Sequence, residues 1–291
     1  MYNTGLICYP YRFTISKTYN PVKDEKEYIL GINQVELERL GFQHGVWKKV
    51  TDEFFDRIGV TKGWKCLDVG AGPGFVSIDL RQRVGESGEV TALEPAQFYL
   101  DHFKEESDKR GWKNTHCISV TAETAPLPKD TYDLIFVRWV IGFVPDPELF
   151  IVNLLPSLKK GGVIAIQDYL YSGLGLYPKG GAFDNALDMV IKHWAVSGGD
   201  AFVAAKIPAI FRKHGLEVID YSPQCLAGGP DSDVIEWADK FFTKHMYLMV
   251  ESGATTKEMG DAMLEDWYAH RKNPDTIFCS PIVVDMAGRK N

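Results

Sequence analysis

The sequence predicts an α/β protein built on a parallel sheet, and three observations carry that expectation. Short apolar runs alternate with helical stretches over about a hundred residues, from Lys65 to Asp168. A glycine-dense turn, "CLDVGAGPGF" from Cys66 to Phe75, joins the first run to the first helical stretch. The chain has 291 residues, 45% of them hydrophobic, so it can bury a sizeable core without a metal or disulfide staple. Strands that alternate with helices pair in parallel and are covered on both faces.

The elements follow in order. The first thirty residues are rich in tyrosine and read as an irregular arm. From Asn33, the residues Val35, Leu37, Leu40, Val46, Trp47, Val50 and Phe54 recur at helical spacing, and Asn33 with Glu36 fits an N-cap with its reciprocal acid. One long helix, or two broken at Gly41 or Gly45, is expected to about Ile58. Strands are predicted at 65–69, 89–93, 115–119, 132–137 and 162–168. Helices are predicted at 75–84, from about Ala96 to Arg110, and before the last strand, ending at Gly161-Gly162.

After Asp168 the rhythm loosens. Residues 183–196 and 201–214 read as helices, 215–222 as a strand and 233–271 as a helical block. The ending "TIFCSPIVVDMAG" reads as one last strand, with Pro281 favouring an edge or a bulge. No linker marks an independent second domain. Residues 1–60 are an arm with its first helices, and 61–291 an α/β domain whose insertions, about 180–214 and 233–271, form a cap on one structural unit.

Composition narrows the function. A net charge of −7 argues against nucleic acid, whose phosphates are bound by clustered Lys and Arg. The cysteines at 8, 66, 117, 225 and 279 are odd in number and never spaced as CxxC, which fits reduced thiols in a cytoplasmic protein. No metal site is expected. No signal peptide is evident at the N-terminus. The most apolar window, "LIFVRWVIGFV", is too short for a bilayer and carries Arg138, so no membrane insertion is expected.

The glycine turn is the informative motif. It stands where a helix N-terminus offers unpaired N–H groups and where missing side chains let a ligand approach. A dinucleotide fingerprint would place glycine at Phe75, and no GK[ST] follows. The run Asp68-x-Gly70-x-Gly72-x-Gly74 instead resembles motif I of the class I S-adenosylmethionine-dependent methyltransferases. Glu94, directly after "VTAL" and before Pro95, matches the family's acid for the ribose hydroxyls. In "AETAPLPKDTYD", Ala122 and Glu123 match the adenine-binding positions, though Ala125 stands where a larger apolar residue is usual. Arg138 and Trp139 in "DLIFVRWVIGFVPDP" match the lining of the methionine end, and "LKKGGVIAIQD" matches the fifth strand.

That resemblance implies a Rossmann-like fold with a mostly parallel seven-stranded sheet and an antiparallel last strand. It implies S-adenosyl-L-methionine as cofactor, S-adenosyl-L-homocysteine as product, and contacts from Asp68, Gly70, Ala71, Gly72 and Gly74. The arm and first helix resemble the N-terminal lid of the quinone-biosynthesis type, so Tyr28, Gln43, His44 and Trp47 are expected to face the cofactor.

The acceptor should meet the methyl at the carboxyl ends of strands four and five, near Arg138, Trp139, Asp168, Tyr169 and Tyr171. Methyl transfer is an in-line displacement that needs a base only if the nucleophile keeps its proton. His44 and Asp168 are the first candidates for that base, with His193 and His245 behind them. The expected function is methylation of a small molecule at oxygen, nitrogen or carbon, with room for a homodimer. The alternatives are an RNA or protein methyltransferase, a non-catalytic S-adenosylmethionine-binding protein, and an NAD-dependent oxidoreductase, the last disfavoured by Phe75.

Overall fold

In the computed structural model, which describes residues 32–291, the five predicted strands of the middle region are all present: β1 (Lys65–Val69), β2 (Glu89–Leu93), β3 (Thr115–Ile118), β4 (Tyr132–Arg138) and β5 (Leu158–Leu170). The helices between them are α2 (Phe75–Val84), α3 (Gln97–Lys109) and α4 (Pro147–Leu154), and α1 (Gln34–Arg57) precedes them. The chain then adds β6 (Gly175–Tyr177), α5 (Ala186–Val196), α6 (Ile207–Lys213), β7 (Leu216–Gln224) and β8 (Ala227–Gly228). It ends with α7 (Asp233–Glu251), α8 (Lys257–Arg271), β9 (Ile277–Cys279) and β10 (Ile282–Lys290).

Seven strands form one sheet in the order β3-β2-β1-β4-β5-β10-β7. All neighbours are parallel except β10, which runs antiparallel to both β5 and β7. This is the expected sheet with its antiparallel last strand. The order reverses between β1 and β4, and in open α/β sheets a ligand crevice lies at the carboxyl ends of the strands at such a reversal.

The apolar runs are continuous because both faces are buried. On one face Ile135, Val137, Ile164 and Ile166 pack with Phe150 and Leu154 of α4 and Phe211 of α6. On the other, Leu134, Phe136 and Ala165 pack with Phe54 and Phe55 of α1, Leu80 of α2 and Phe103 of α3. A third cluster forms the cap, where Trp47 of α1 meets Trp194, Trp237, Phe242 and Trp267 of α5, α7 and α8.

Two expectations need correction, and two others are made definite. Of the two readings of the first helix the single long one holds: Gly41 lies inside α1 against the ring of Phe75, where an added Cβ would come within 3.1 Å. The helix before β5 ends at Leu154 rather than at Gly161-Gly162, because Pro156 ends the regular helix in a 3-10 turn. Gly161, with φ +76, lies inside β5, where the pairing steps from Tyr132–Leu158 to Leu134–Val163.

The helical block 233–271 is made of two helices. Gly253, with φ +74, closes α7 in a Schellman motif: the Ala254 N–H donates to Met249 O at 2.9 Å and the Gly253 N–H to Val250 O at 3.0 Å. The closing strand is likewise divided. Pro281 has no N–H, and Ser280 turns aside, donating its N–H to Leu226 O and accepting the Leu226 N–H on its Oγ. So β9 joins a separate small sheet, β6-β9-β8, while β10 enters the main one.

Candidate functional site

The glycine turn lies between β1 and α2 at the sheet's reversal. Gly70, Gly72 and Gly74 all have positive φ, at +66, +52 and +80. They do so for different reasons. A Cβ on Gly70 would stand 2.3 Å from Val140 Cγ2, and one on Gly74 would stand 2.5 Å from Phe103 Cβ, so both are required by packing. A Cβ on Gly72 would meet nothing within 4 Å. Gly72 is the position that leaves room for a ligand against the backbone.

The turn is fixed from beside it by β2. Gly70 and Ala71 donate their N–H groups to Leu93 O at 2.8 and 3.1 Å. Glu94 then accepts the Gly72 N–H on Oε2 and the Ala96 N–H on Oε1, both at 3.0 Å. Each carboxylate oxygen keeps a further acceptor site, so the group is oriented and still able to take two hydroxyl donors. Burial raises its pKa and the two backbone donors work against that rise. Pro95 follows at the surface.

Asp68 is buried beneath the turn and accepts from Ser77 Oγ at 2.6 Å. Burial pushes its pKa up to about 6, with Ser77 opposing. Ala122 packs on the sheet's core, and Glu123 is exposed in the turn after β3. Tyr28 lies outside the described residues.

Arg138 ends β4 in a dense polar environment. It donates from Nη1 to Thr51 Oγ1 at 3.1 Å and from Nη2 to His44 Nδ1 at 3.0 Å, and its guanidinium lies 4.5 Å from the Trp139 ring. Because a guanidinium only donates, His44 Nδ1 accepts, and the ring proton sits on Nε2, 3.1 Å from Asp79 Oδ2. Burial lowers the His44 pKa, with Asp79 opposing it, so the imidazole is neutral with both nitrogens engaged. Burial also draws Arg138 down to about 10.

Asp168 is equally occupied. Its Oδ1 accepts the Tyr169 N–H at 2.7 Å and its Oδ2 the Gly142 N–H at 3.3 Å, which pins the 3-10 turn Ile141–Phe143 after β4. Burial raises its pKa to about 6. Gln43 is engaged with α1 and the cap: its Oε1 accepts from Arg39 Nη1 at 2.8 Å and from Trp237 Nε1 at 3.2 Å. Trp47 is fully buried, edge-on to Trp139 and Trp237.

Of the other two histidines, His193 of α5 lies 2.9 Å from Ser252 Oγ. His245 of α7 donates from Nδ1 to Phe241 O at 2.8 Å, and burial lowers its pKa to about 3. Both belong to the cap.

Sequence reasoning missed a polar row that crosses the sheet. Arg138 of β4 is in register with Gln167 of β5, and Gln167 with Asp285 of β10. Gln167 Nε2 donates to Asp285 Oδ1 at 2.6 Å, Thr51 Oγ1 donates to Gln167 Oε1 at 2.8 Å, and Arg57 Nη2 donates to Asp285 Oδ2 at 2.7 Å. Thr51, Arg57 and His44 all come from α1, so the row clamps that helix to the sheet. Its signal in the sequence was a Gln and an Asp each standing inside an apolar strand.

The fold and this turn define an open α/β protein that presents a glycine loop and an oriented carboxylate at its switch point. A profile of the family described as "Methyltransferase domain" matches residues 60–174, the span from before β1 to after β5. Residues 60–174 therefore form a methyltransferase domain of the class I S-adenosylmethionine-dependent type.

The chain is similar to the demethylmenaquinone methyltransferase of Lactococcus lactis, 25% identical over 62% of this chain and 75% of that enzyme. It is also similar to the ubiquinone/menaquinone biosynthesis C-methyltransferase UbiE of Shewanella piezotolerans, 30% identical over 43% of this chain and 49% of that one. Apart from the Lactococcus enzyme, the chain spans about half the length of such relatives. A putative methyltransferase of Bacillus halodurans shares the fold with a TM-score of 0.56, at 19% identity over 82% of this chain and 99% of that one.

Proposed function

We propose that this protein methylates a small-molecule acceptor at an oxygen, nitrogen or carbon nucleophile, with S-adenosylmethionine as the methyl donor. The observation that carries the reading is the cradle made by Gly72 and Glu94, an open backbone position hydrogen-bonded to an oriented carboxylate. When bound, the cofactor supplies a methyl group activated on a sulfonium. Glu94 is read as the acceptor for its ribose hydroxyls and Glu123 as the partner of its adenine amino group. Asp68 and the loop residues Gly70, Ala71 and Gly74 shape the seat, and Arg138 and Trp139 border its methionine end.

His44 and Asp168 are read as positioning residues: His44 fixes Arg138, and Asp168 fixes the turn after β4. Gln43 and Trp47 belong to the wall that α1 makes with the cap. The aromatic surfaces of Trp139, Tyr169, Tyr171 and Trp194 near the strand ends suit a partly apolar acceptor. The names of the quinone-biosynthesis relatives support a small molecule, and the net charge of −7 favours it over nucleic acid.

Calorimetric titration with S-adenosylmethionine, S-adenosylhomocysteine and NAD tests this. Binding of the first two in the micromolar range, with none of NAD, is the expected result. Binding of NAD alone would overturn the reading.

A further inference from the structure

His270, in the last turn of α8, meets acceptors at both ring nitrogens. Its Nδ1 lies 2.9 Å from Asp266 O and 3.2 Å from Asp266 Oδ1, and its Nε2 lies 3.0 Å from Pro178 O. Main-chain carbonyls and an ionised carboxylate only accept. A neutral imidazole carries one N–H, so it can serve one side and must turn a lone pair toward the other. Only the imidazolium donates to both. The ring is largely shielded, its side chain 11% exposed, which makes an unmade bond costly.

The surroundings favour the charge. The C-terminus of a helix is the negative end of its dipole. The charged groups that act on His270 are Asp266 of its own helix and Asp184 of the facing turn Ala182–Asn185, which pairs with Lys179 at 3.0 Å. The neighbouring cation, Arg271, is held by Glu236 of α7 at 2.9 Å. Burial works against the imidazolium, but the carbonyls of Asp266 and Pro178 and the Asp266 carboxylate outweigh it, so the His270 pKa stands above its usual 6.5.

The same contacts hold one segment of chain. Residues 178–184 form a strap from β6 toward α5, with Pro178 O at its start against His270. Near its end, Asp266 Oδ2 accepts the Phe183 N–H at 2.9 Å. Gly181 makes room for that carboxylate, since an added Cβ would stand 2.0 Å from Oδ2. Phe183 is buried against Phe242 and Trp267, at 4.9 and 5.1 Å between ring centroids. The strap leads into α5, whose Trp194 packs on Tyr171 just past β5.

We propose that His270 and Asp266 form a pH-operated latch on the cap, which fastens the strap 178–184 to α8 while His270 carries its proton and releases the strap's Pro178 end when that proton leaves. The hold is fully present below the unfolded value near 6.5 and is lost as pH rises through the higher folded one. Phe183 stays anchored in the aromatic cluster, so the release is local and the cap does not unfold with it. The latch needs no ligand and holds whatever the methyl acceptor is.

Trypsin reports on the strap directly, because Lys179 lies within it. Cleavage after Lys179 is followed in the full-length protein between about pH 6.5 and 9, with each rate normalised to that of a free peptide of the same residues. The normalised rate should rise roughly tenfold with pH, as a bond to a charged group is lost. His270→Gln keeps one donor and cannot titrate, so its normalised rate should not change with pH. Asp266→Asn keeps an acceptor for the Phe183 N–H and removes the negative charge, and should move the rise to lower pH.

In the unaltered protein, nitrogen resonances of the His270 ring should show both nitrogens protonated at about pH 6 and a titration midpoint above the usual value. A ring that is neutral at that pH overturns the proposal. So does a normalised cleavage rate that is flat in the unaltered protein, or a rise that survives in His270→Gln. Should that variant fail to fold, the ring titration and the cleavage profile of the unaltered protein decide.

Discussion

At the scale of single residues, Glu94 and the glycines beside it separate binding from folding. Glu94 touches only backbone N–H groups of its own turn, so removing its carboxylate should spare the sheet and cost cofactor. A charged hydrogen-bond partner contributes about 1.5–3 kcal/mol, so Glu94→Ala should weaken S-adenosylmethionine binding by tens of fold in a calorimetric titration. Unchanged affinity would show that Glu94 is not the ribose acid. The glycines divide in the same way. Gly74→Ala forces a Cβ onto the inner part of Phe103, which cannot swing aside, and should lower stability to urea by roughly 2–5 kcal/mol. Gly72→Ala meets only the strain of its positive φ, about 1–2 kcal/mol, yet places a methyl group where the ligand must lie. Its larger loss should be in affinity. A Gly72→Ala variant that binds normally would remove the loop from the cofactor's path.

Among the elements, the strands of the middle region were legible because their signal is local: apart from the exposed edge strand β3, each is an apolar run buried on both faces. The glycine turn was legible for the same reason. The polar row was not, because Gln167 and Asp285 lie 118 residues apart and meet only through the register of β5 with β10. The partners of Gln43 were not legible either, because Trp237 of α7 lies 194 residues further along the chain. The division of 233–271 was in fact written in "ESGATT", where glycine after a helix end followed by a new N-cap threonine marks a break. The cap also carries a titration. His245 is neutral in the fold, its pKa lowered to about 3 by burial, with Arg39, His193 and Lys244 adding to the cost of charge. Its contribution to stability is therefore complete above the unfolded value near 6.5 and is lost as pH falls toward 3. Asp68, Asp168 and Asp285, each raised to about 6 by burial, act in the opposite sense between about 3.8 and 6. His245→Asn keeps a donor for Phe241 O and removes the titration. The difference in urea midpoint between variant and wild type should therefore move in the variant's favour from pH 7 to pH 5. Parallel profiles for the two proteins would show that His245 is already solvated.

Across the whole molecule, α1 joins parts that are remote in sequence. It reaches α2 through His44 and Asp79, the far strands through Arg57 with Asp220 and Asp285, and the cap through Glu36 with Lys244 and Gln43 with Trp237. The glycine turn itself packs on Val140 and Phe103, from β4's end and α3. A ligand seated there braces elements from both halves of the sheet, so its binding energy should appear as stability of the whole unit rather than of one loop. For a ligand that binds only the folded state, the gain is about 2.7 kcal/mol at a hundred times its dissociation constant. For a unit of this size that corresponds to a rise in the melting temperature of roughly 5–10 °C. S-adenosylhomocysteine should produce this shift in a single transition, NAD should produce none, and Glu94→Ala should lose most of it at the same ligand concentration. Hydrogen exchange should report the same event, with protection rising at β1, β4 and the central part of α1 together. If the melting temperature stays fixed while calorimetry shows binding, the ligand is held with equal strength by the unfolded chain or by a surface uncoupled from the core, and the turn between β1 and α2 is not its seat.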